Sequence, residues 1–388
     1  MEGCLSKIGS PDRTGAGFKV LHVIDSAGLY GAEVMLLNLV GEQIKMGLSP
    51  AICSIGEKGC AEKALEAEAG RRGFRVKTFR MNPGFNLKGA LDILGFARQE
   101  GFGILHSHGY KGNILFGFLP RRLRRIPVVA TLHGWTSAGA ISRMRVYEWL
   151  DARALRHIDA VVAVNARMLA NPRLKRGGLN LHVVNNGMPP APSEVRELDK
   201  EIADFCKTGF IVGAIGRLTH EKGFKYLVEA FARVRERRKD AKLVIIGDGP
   251  EKDLLAGSAA LLGLKDGLLM PGYRAGASRY LRLFDIFVLP SLTEGLPMVI
   301  LEAMQNGVPI AATRVGGVPE VLEEGAAGVL MEPASASAIV EAIFALGDGA
   351  YARSLAKRAK ETVNARYSSE GMAKGYREIY MGLLEAAG

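Results

Sequence analysis

Apolar, β-rich runs alternate with amphipathic helical stretches along almost the whole chain, and that alternation leaves few folds open. Strand-like runs stand at 19–24, 103–106, 128–132 and 160–164, with helical patterning between them. A strand, a helix and a further strand in this rhythm close as βαβ units, so the pattern predicts a parallel sheet covered by helices. Pro189-Pro190-Ala191-Pro192 then interrupts it. Proline locks φ and removes a donor, which denies the backbone both strand and helix there. A second and cleaner series follows, with strand-like runs at 210–215, 242–246, 267–270, 286–289 and 310–312 and helices from Ser337 onward.

A chain of 388 residues exceeds one ordinary core, and the length prior gives two domains. The expected division is a flexible tail at 1–17, a first α/β domain at 18–188, a linker at 189–206, a second α/β domain at 207–370, and a C-terminal helix at 371–388 able to pack back on the first domain. The two halves differ in charge. Residues 1–190 carry 26 Lys/Arg against 14 Asp/Glu, and residues 191–388 carry 25 against 26. A basic first half suits an anionic partner surface, and equally suits simple solubility. Cys4, Cys53, Cys60 and Cys206 are scattered with no CxxC pair, which suggests neither a zinc ribbon nor a disulfide framework and fits a reducing compartment. With no signal-like segment and no long apolar run, the expected location is the cytoplasm, with peripheral contact at the inner face of the membrane.

The segment 290–307, PSLTEGLPMVILEAMQNG, begins where an apolar strand ends. Pro297 suits a first helical turn and Gly307 a stop, implying a helix of about ten residues. Its N-terminus, just after Gly295, offers unpaired N–H groups and a positive dipole end, both of which attract phosphate. Glu294 stands at that mouth, and Glu302 lies about 7.5 Å further along the axis than Pro297. Carboxylates there can accept hydrogen bonds from sugar hydroxyls. The plainer alternative is one exposed glutamate and one that complements the helix dipole.

Gly216-Arg217-Leu218-Thr219-His220-Glu221-Lys222-Gly223 directly follows the strand-like run 210–215. Glycine lets backbone approach a ligand, and Arg217 and Lys222 supply a planar fork and a point charge at the C-terminal end of a strand. Two such cations match a pyrophosphate, although a surface loop would carry the same residues. Three histidines, His106, His108 and His133, are placed at or just past strand ends; His133 reads as functional, His106 as structural, and His108 as either.

Taken in order, GRLTHEKG, IGDGP at 246–250, Pro271-Gly272-Tyr273 and the E-x7-E pair Glu294 and Glu302 resemble the C-terminal half of glycosyltransferase family 4. The first half matches too, in SAGLYGAE at 26–33, HSHGYKGN at 106–113, ATLHGW at 130–135 and NNG at 185–187. The resemblance implies an α/β chain with two Rossmann-like domains facing across a cleft, the GT-B architecture, and a retaining transfer from a nucleoside-diphosphate sugar. It implies Arg217 and Lys222 on the donor phosphates and Glu302 on the ribose. Glu294 and the backbone after it, with Gly295, Leu296, Met298 and Val299, would meet the transferred sugar. Gly216, Gly272, Tyr273 and Arg274 would complete the donor site. From the first domain, Gly31 would approach the diphosphate and His133 the reacting sugar, with Tyr30 and His108 on the acceptor side. The transferred sugar is expected to be a hexose or N-acetylhexosamine, and the acceptor a glycan or lipid-linked molecule of cell-envelope polysaccharide or glycolipid synthesis.

Departure of the nucleoside diphosphate needs charge stabilisation, which Arg217, Lys222 and the helix end can provide. The resemblance calls for front-face attack without a covalent intermediate, so no nucleophile is assigned. No two aspartates lie two residues apart, so the chain lacks the DxD that metal-dependent transferases use, and neither a metal nor a separate cofactor is expected. Two departures from the family pattern bear on sugar choice: Tyr30 where glycine often precedes Gly31, and Pro297, which removes one N–H. Apart from these motifs, Arg121, Arg122, Arg124 and Arg125 follow the apolar run 114–119. They suggest an anionic-membrane patch, or alternatively the solvated end of a buried helix. Competing functions are an epimerase or phosphorylase on the same fold and a non-catalytic sugar-nucleotide-binding protein. A nucleic-acid partner is not expected, because no aromatics interleave with the basic run.

Overall fold

A computed structural model describes residues 17–387 apart from 27, 83, 85, 135–142, 173, 175–177 and 192–196. The expected tail up to residue 16, Cys4, Ala27, Trp135 and Pro192 with the rest of 192–196 lie outside the described residues.

Among the described residues two parallel sheets carry the fold. The first holds β1 (Lys19–Ile24), β2 (Ser49–Glu57), β3 (Val76–Met81), β4 (Ile104–His108), β5 (Val128–Leu132), β6 (Ala160–Ala163) and β7 (Leu181–Val183), in the order β3-β2-β1-β4-β5-β6-β7. The second holds β8 (Phe210–Ile215), β9 (Ala241–Ile246), β10 (Leu268–Gly272), β11 (Ile286–Leu289), β12 (Ile310–Thr313) and β13 (Val329–Met331), in the order β10-β9-β8-β11-β12-β13. Both chains of strands start in the middle and reverse direction once, between β1 and β4 and between β8 and β11. The central strands are buried on both faces, which is why they read as mostly apolar runs.

β2, β3, β7 and β13 have no counterpart among the strand-like runs of the sequence. β2 opens on Ser49-Pro50, a turn signal that a strand tolerates at its start, and β3 is a half-exposed edge whose polar and apolar residues blur. β4 extends two residues beyond the expected 106. His106 therefore lies inside the strand and His108 is its last residue, rather than both being at or past the end. The linker is also not wholly irregular: beyond the prolines, Lys200–Phe205 is a helix whose N-terminus is capped by the Asp199 side chain.

The chain returns to its first half at the end. Helix Gly349–Arg366 packs on helix Met298–Asn306 of the second half, after which Met188 and Ser368 form a bridge and Ser369–Glu385 lies against helix Gly31–Lys45. Tyr376 and Tyr380 of that last helix are buried under the first sheet, and one hydrophobic cluster runs through both halves.

The basic run is placed differently from a membrane-inserted patch. Ile114, Leu115, Phe116 and Leu119 are buried in the core, which leaves Phe118 as the exposed side chain of the apolar segment. Arg124 is not a surface cation: it is 1% exposed and donates from Nη2 to the His157 carbonyl at 2.7 Å. Arg121, Arg122 and Arg125 remain outside, Arg121 paired with Asp159 at 2.8 Å. Among the described residues, no helix is long and apolar enough to cross a membrane.

Candidate active site

Open parallel sheets bind ligands at the C-terminal ends of the strands where the strand order reverses. Here both reversal points open onto one cleft of about 1190 Å3 between the two sheets. Tyr30, Gly31, His108 and His133 line it from the first half. Gly216, Arg217, Lys222, Tyr273, Arg274, Glu294, Gly295, Leu296, Met298, Val299 and Glu302 line it from the second. Gly272 is not on the wall; its carbonyl accepts from the Gly247 N–H at the end of β10. The four arginines at 121–125 lie away from the cleft.

On the second half, two loops meet because Gly223 permits it. Its φ is +65°, and a Cβ there would collide with the Pro290 carbonyl oxygen. That approach brings Lys222 Nζ to 2.5 Å from Glu294 Oε1, which also accepts from Ser291 Oγ at 2.6 Å. Helix Met298–Asn306 starts one residue later than the sequence implies, so Pro297 is its N-cap rather than part of its first turn. Met298 and Val299 then begin the helix, where N–H groups lack intrahelical acceptors and the dipole is positive. Arg217 donates from Nη2 to Glu221 at 2.9 Å, and its guanidinium lies over the Tyr30 ring of the first half at 5.5 Å. Glu302 is partly buried with no partner for its carboxylate among the described residues, and this desolvation pushes its pKa up to about 7. Arg274 faces the cleft, but Asp199 at 3.2 Å and the Pro271 carbonyl engage its guanidinium and tie it to the linker.

The first half clamps the 294–296 segment. Asn165 Nδ2 donates to the Gly295 carbonyl at 3.0 Å, and Asn186 Nδ2 donates to the Leu296 carbonyl at 3.0 Å. Gly295 also has to be glycine, since a Cβ would strike the His133 carbonyl oxygen. Asn165 belongs to no recognisable motif, whereas Asn186 is the middle residue of the NNG segment. His133 stands at the end of a line of buried imidazoles. Its Nε2 lies 3.3 Å from His108 Nδ1, and His108 Nε2 lies 3.0 Å from His22 Nδ1. Burial holds His22 and His133 at about 4 and His106 and His108 well below the ordinary histidine value, so all four are neutral near pH 7.

The resulting chemistry is asymmetric. Around the ends of β8 and β11 the second half presents Arg217, Lys222, a helix N-terminus, Glu294 and Glu302, a set that can hold a diphosphate and hydroxyls and stabilise charge on a departing phosphate. The first half presents the neutral imidazoles of His108 and His133, with Asp25, Glu33, Glu68, Arg71 and Arg72 lining other parts of the cleft.

Known proteins agree with this geometry. The sequence profile of Glycosyltransferase Family 4 matches residues 30–191, and that of Glycosyl transferases group 1 matches residues 195–362. The lipopolysaccharide core biosynthesis glycosyltransferase LpsE of Rhizobium meliloti is 31% identical over 273 residues, covering 69% of this chain and 76% of the relative. The N-acetyl-alpha-D-glucosaminyl L-malate synthase of Bacillus anthracis is 29% identical, covering 78% of this chain and 80% of the relative. Among solved structures, Anabaena Alr3699/HepE in complex with UDP-glucose superposes with a TM-score of 0.79 at 21% identity, covering 94% of this chain and 99% of that one. With both halves matched in order, and the two sheets facing across a common cleft, the chain belongs to glycosyltransferase family 4 and is a GT-B transferase that uses a nucleotide-sugar donor.

Proposed function

We propose that the protein moves a hexose or N-acetylhexosamine, with retention at the anomeric carbon, from a uridine-diphosphate sugar to a glycan or lipid-linked acceptor of the cell envelope. The observation that carries this reading is the convergence of Arg217, Lys222, Glu294 and Glu302 with the N-terminus of helix Met298–Asn306 on one cleft wall. Arg217 and Lys222 bind the diphosphate and stabilise it as it leaves. Glu302 accepts hydrogen bonds from the ribose, Glu294 and the N–H groups after Gly295 hold the sugar, and Tyr273 borders the base. Residues 18–188 serve the acceptor and residues 207–370 the donor, with 189–206 joining them. The lipopolysaccharide-core relative and the UDP-glucose complex of a like fold support the acceptor class and the uridine base.

The test is a thermal-shift panel of UDP, GDP, ADP and their sugars on the wild type and on Arg217→Ala, without added metal. A shift with the uridine compounds that is lost in the variant supports the assignment. No shift with any compound overturns it. Peripheral membrane contact is proposed more narrowly than the sequence suggested, through Arg122 and Arg125 with Phe118 (38% exposed) and Leu123 (43% exposed). Vesicles containing anionic lipid should retain the protein at low salt, and equal recovery with neutral vesicles refutes that contact.

A further inference from the structure

The buried imidazoles behind His133 form a directed chain. Gln43 of helix Gly31–Lys45 turns its carbonyl oxygen to His22 Nε2 at 2.8 Å. A carbonyl only accepts, so Nε2 carries the proton and His22 Nδ1 is bare. His22 Nδ1 then accepts from His108 Nε2–H at 3.0 Å, which leaves His108 Nδ1 bare, and that atom accepts from His133 Nε2–H at 3.3 Å. A neutral imidazole has a single N–H, so each bond dictates the next. The amide of Gln43 is itself oriented, because its Nε2 donates to the Tyr380 hydroxyl at 3.4 Å, and that hydroxyl donates in turn to His106 Nδ1 at 2.6 Å. The nitrogens of His22, His106 and His108 lie within 4.8 Å of one another, a spacing that a metal ion would accept. Every one of those nitrogens already has a protein partner, so the cluster reads as a hydrogen-bond array.

We propose that Gln43, His22 and His108 are positioning residues that hold His133 in its Nε2–H tautomer and present its bare Nδ1 to the cleft as an acceptor for a hydroxyl of the donor sugar. The sugar contact rests on the nucleotide-sugar reading above; the tautomer does not. His133 lines the cleft, and among the described residues its Nδ1 has no partner. Burial keeps the four rings neutral, so no added proton scrambles the order near pH 7. An array of this kind chooses between substrates at a distance. A sugar hydroxyl can donate to a bare nitrogen, whereas a group that only accepts would face an unshared lone pair.

The experiment is a ring-nitrogen spectrum of the full chain labelled with 15N-histidine, in which the two neutral tautomers have distinct shifts; His133→Gln identifies the His133 signals. The expected result is protonated Nε2 and bare Nδ1 in the wild type. A protonated Nδ1 overturns the proposal. In Gln43→Leu the terminal acceptor is gone, and His133 should become a mixture of tautomers or reverse; in Gln43→Glu an acceptor remains and the wild-type tautomer should persist. A folded Gln43→Leu protein that keeps the wild-type tautomer also overturns the proposal. Should that variant not fold, Tyr380→Phe frees the Gln43 amide to turn and replaces it in the comparison. Saturating UDP-glucose should move the His133 Nδ1 signal. Binding seen in the melt without that movement refutes the sugar contact, and absence of binding refutes the donor reading for UDP-glucose while the tautomer result stands.

Discussion

The two walls of the cleft share a strand order and a reversal point, yet they hold their side chains by opposite means. At the ends of β8 and β11 the groups are charged and paired across short loops: Lys222 with Glu294, Arg217 with Glu221. Within β1 and β4 the buried groups are neutral: His22, His106 and His108, bonded to one another or to Gln43, Thr131 and Tyr380, and charge appears only past the β1 end, where Asp25 pairs with Lys63 and Lys111. A wall that receives a diphosphate needs counter-charge that the ligand can reach: Arg217 is 40% exposed, and Lys222 meets the cleft from its pair with Glu294. A wall that orients a neutral sugar is better served by groups that cannot ionise, because a buried charge would cost far more than the bond it makes.

Acid should break the comparison most strongly. The pKa of His22 falls from 6.5 in the unfolded chain to about 4 in the folded one. The folded value is the lower one, so the stability tied to neutral His22 is complete above about pH 6.5 and is lost as pH falls toward 4; the shift corresponds to about 3 kcal/mol. His106, His108 and His133 act in the same direction. The melting temperature should therefore drop between about pH 7 and 5, and drop less in His22→Gln. Equal slopes in the two proteins would mean that the cluster is not buried and neutral.

Lys222→Ala sharpens the other side. Removing a cation from the departing phosphate should lower kcat by about 10²–10³, with some loss of stability as well because the 8% exposed Glu294 keeps Ser291 but loses its cation. A fall confined to KM would place Lys222 in ground-state binding alone.

The contrast also explains what could be read in advance. The charged wall is written in two contiguous stretches, 216–223 and 290–302, where strand end, glycine, cation and helix start follow one another in order. The neutral wall is assembled from residues 22, 43, 106, 108, 131, 133, 376 and 380, which meet only when the sheet and the last helix are in place. A signal was nevertheless present. KVLHVI and ILHSH each set a histidine inside an apolar strand, and the parallel register of β1 and β4 pairs His22 with His106 and Ile24 with His108. Polar residues at such buried positions require partners, and two tyrosines on the last helix were candidates. The basic run misled for the converse reason. Arg124 looked like its neighbours, and the partners that let it be buried, the His157 carbonyl and the Asp159 carboxylate, stand more than 30 residues away.

Tyr380→Phe tests whether the last helix belongs to the neutral wall. It leaves His106 Nδ1 and the Gln43 amide without their hydroxyl partner in a dry site, which should cost about 1–3 kcal/mol and lower the melting temperature by several degrees. Tyr273→Phe, on the charged wall and 41% exposed, should change stability by less than about 0.5 kcal/mol. Similar losses in both variants would erase the distinction.

Glu302 is a carboxylate of the charged wall that obeys the logic of the neutral one, and its effect should be smaller than that of Tyr380→Phe. Burial raises its pKa from 4.5 to about 7 in the folded state. A raised folded value means that its stability contribution is complete below about pH 4.5 and is lost as pH rises through about 7, opposite in sign to the histidines. Glu302→Gln should therefore melt higher than the wild type at pH 8 and no higher at pH 5, by on the order of 1 kcal/mol once partial solvent screening is allowed for. Ribose hydroxyls donate best to the ionised carboxylate, so nucleotide binding should release a proton, and UDP affinity should rise from about pH 6 to 8 in the wild type and stay flat in the variant. If the wild-type affinity is flat as well, Glu302 does not meet the ribose, and its burial serves only the packing of its helix.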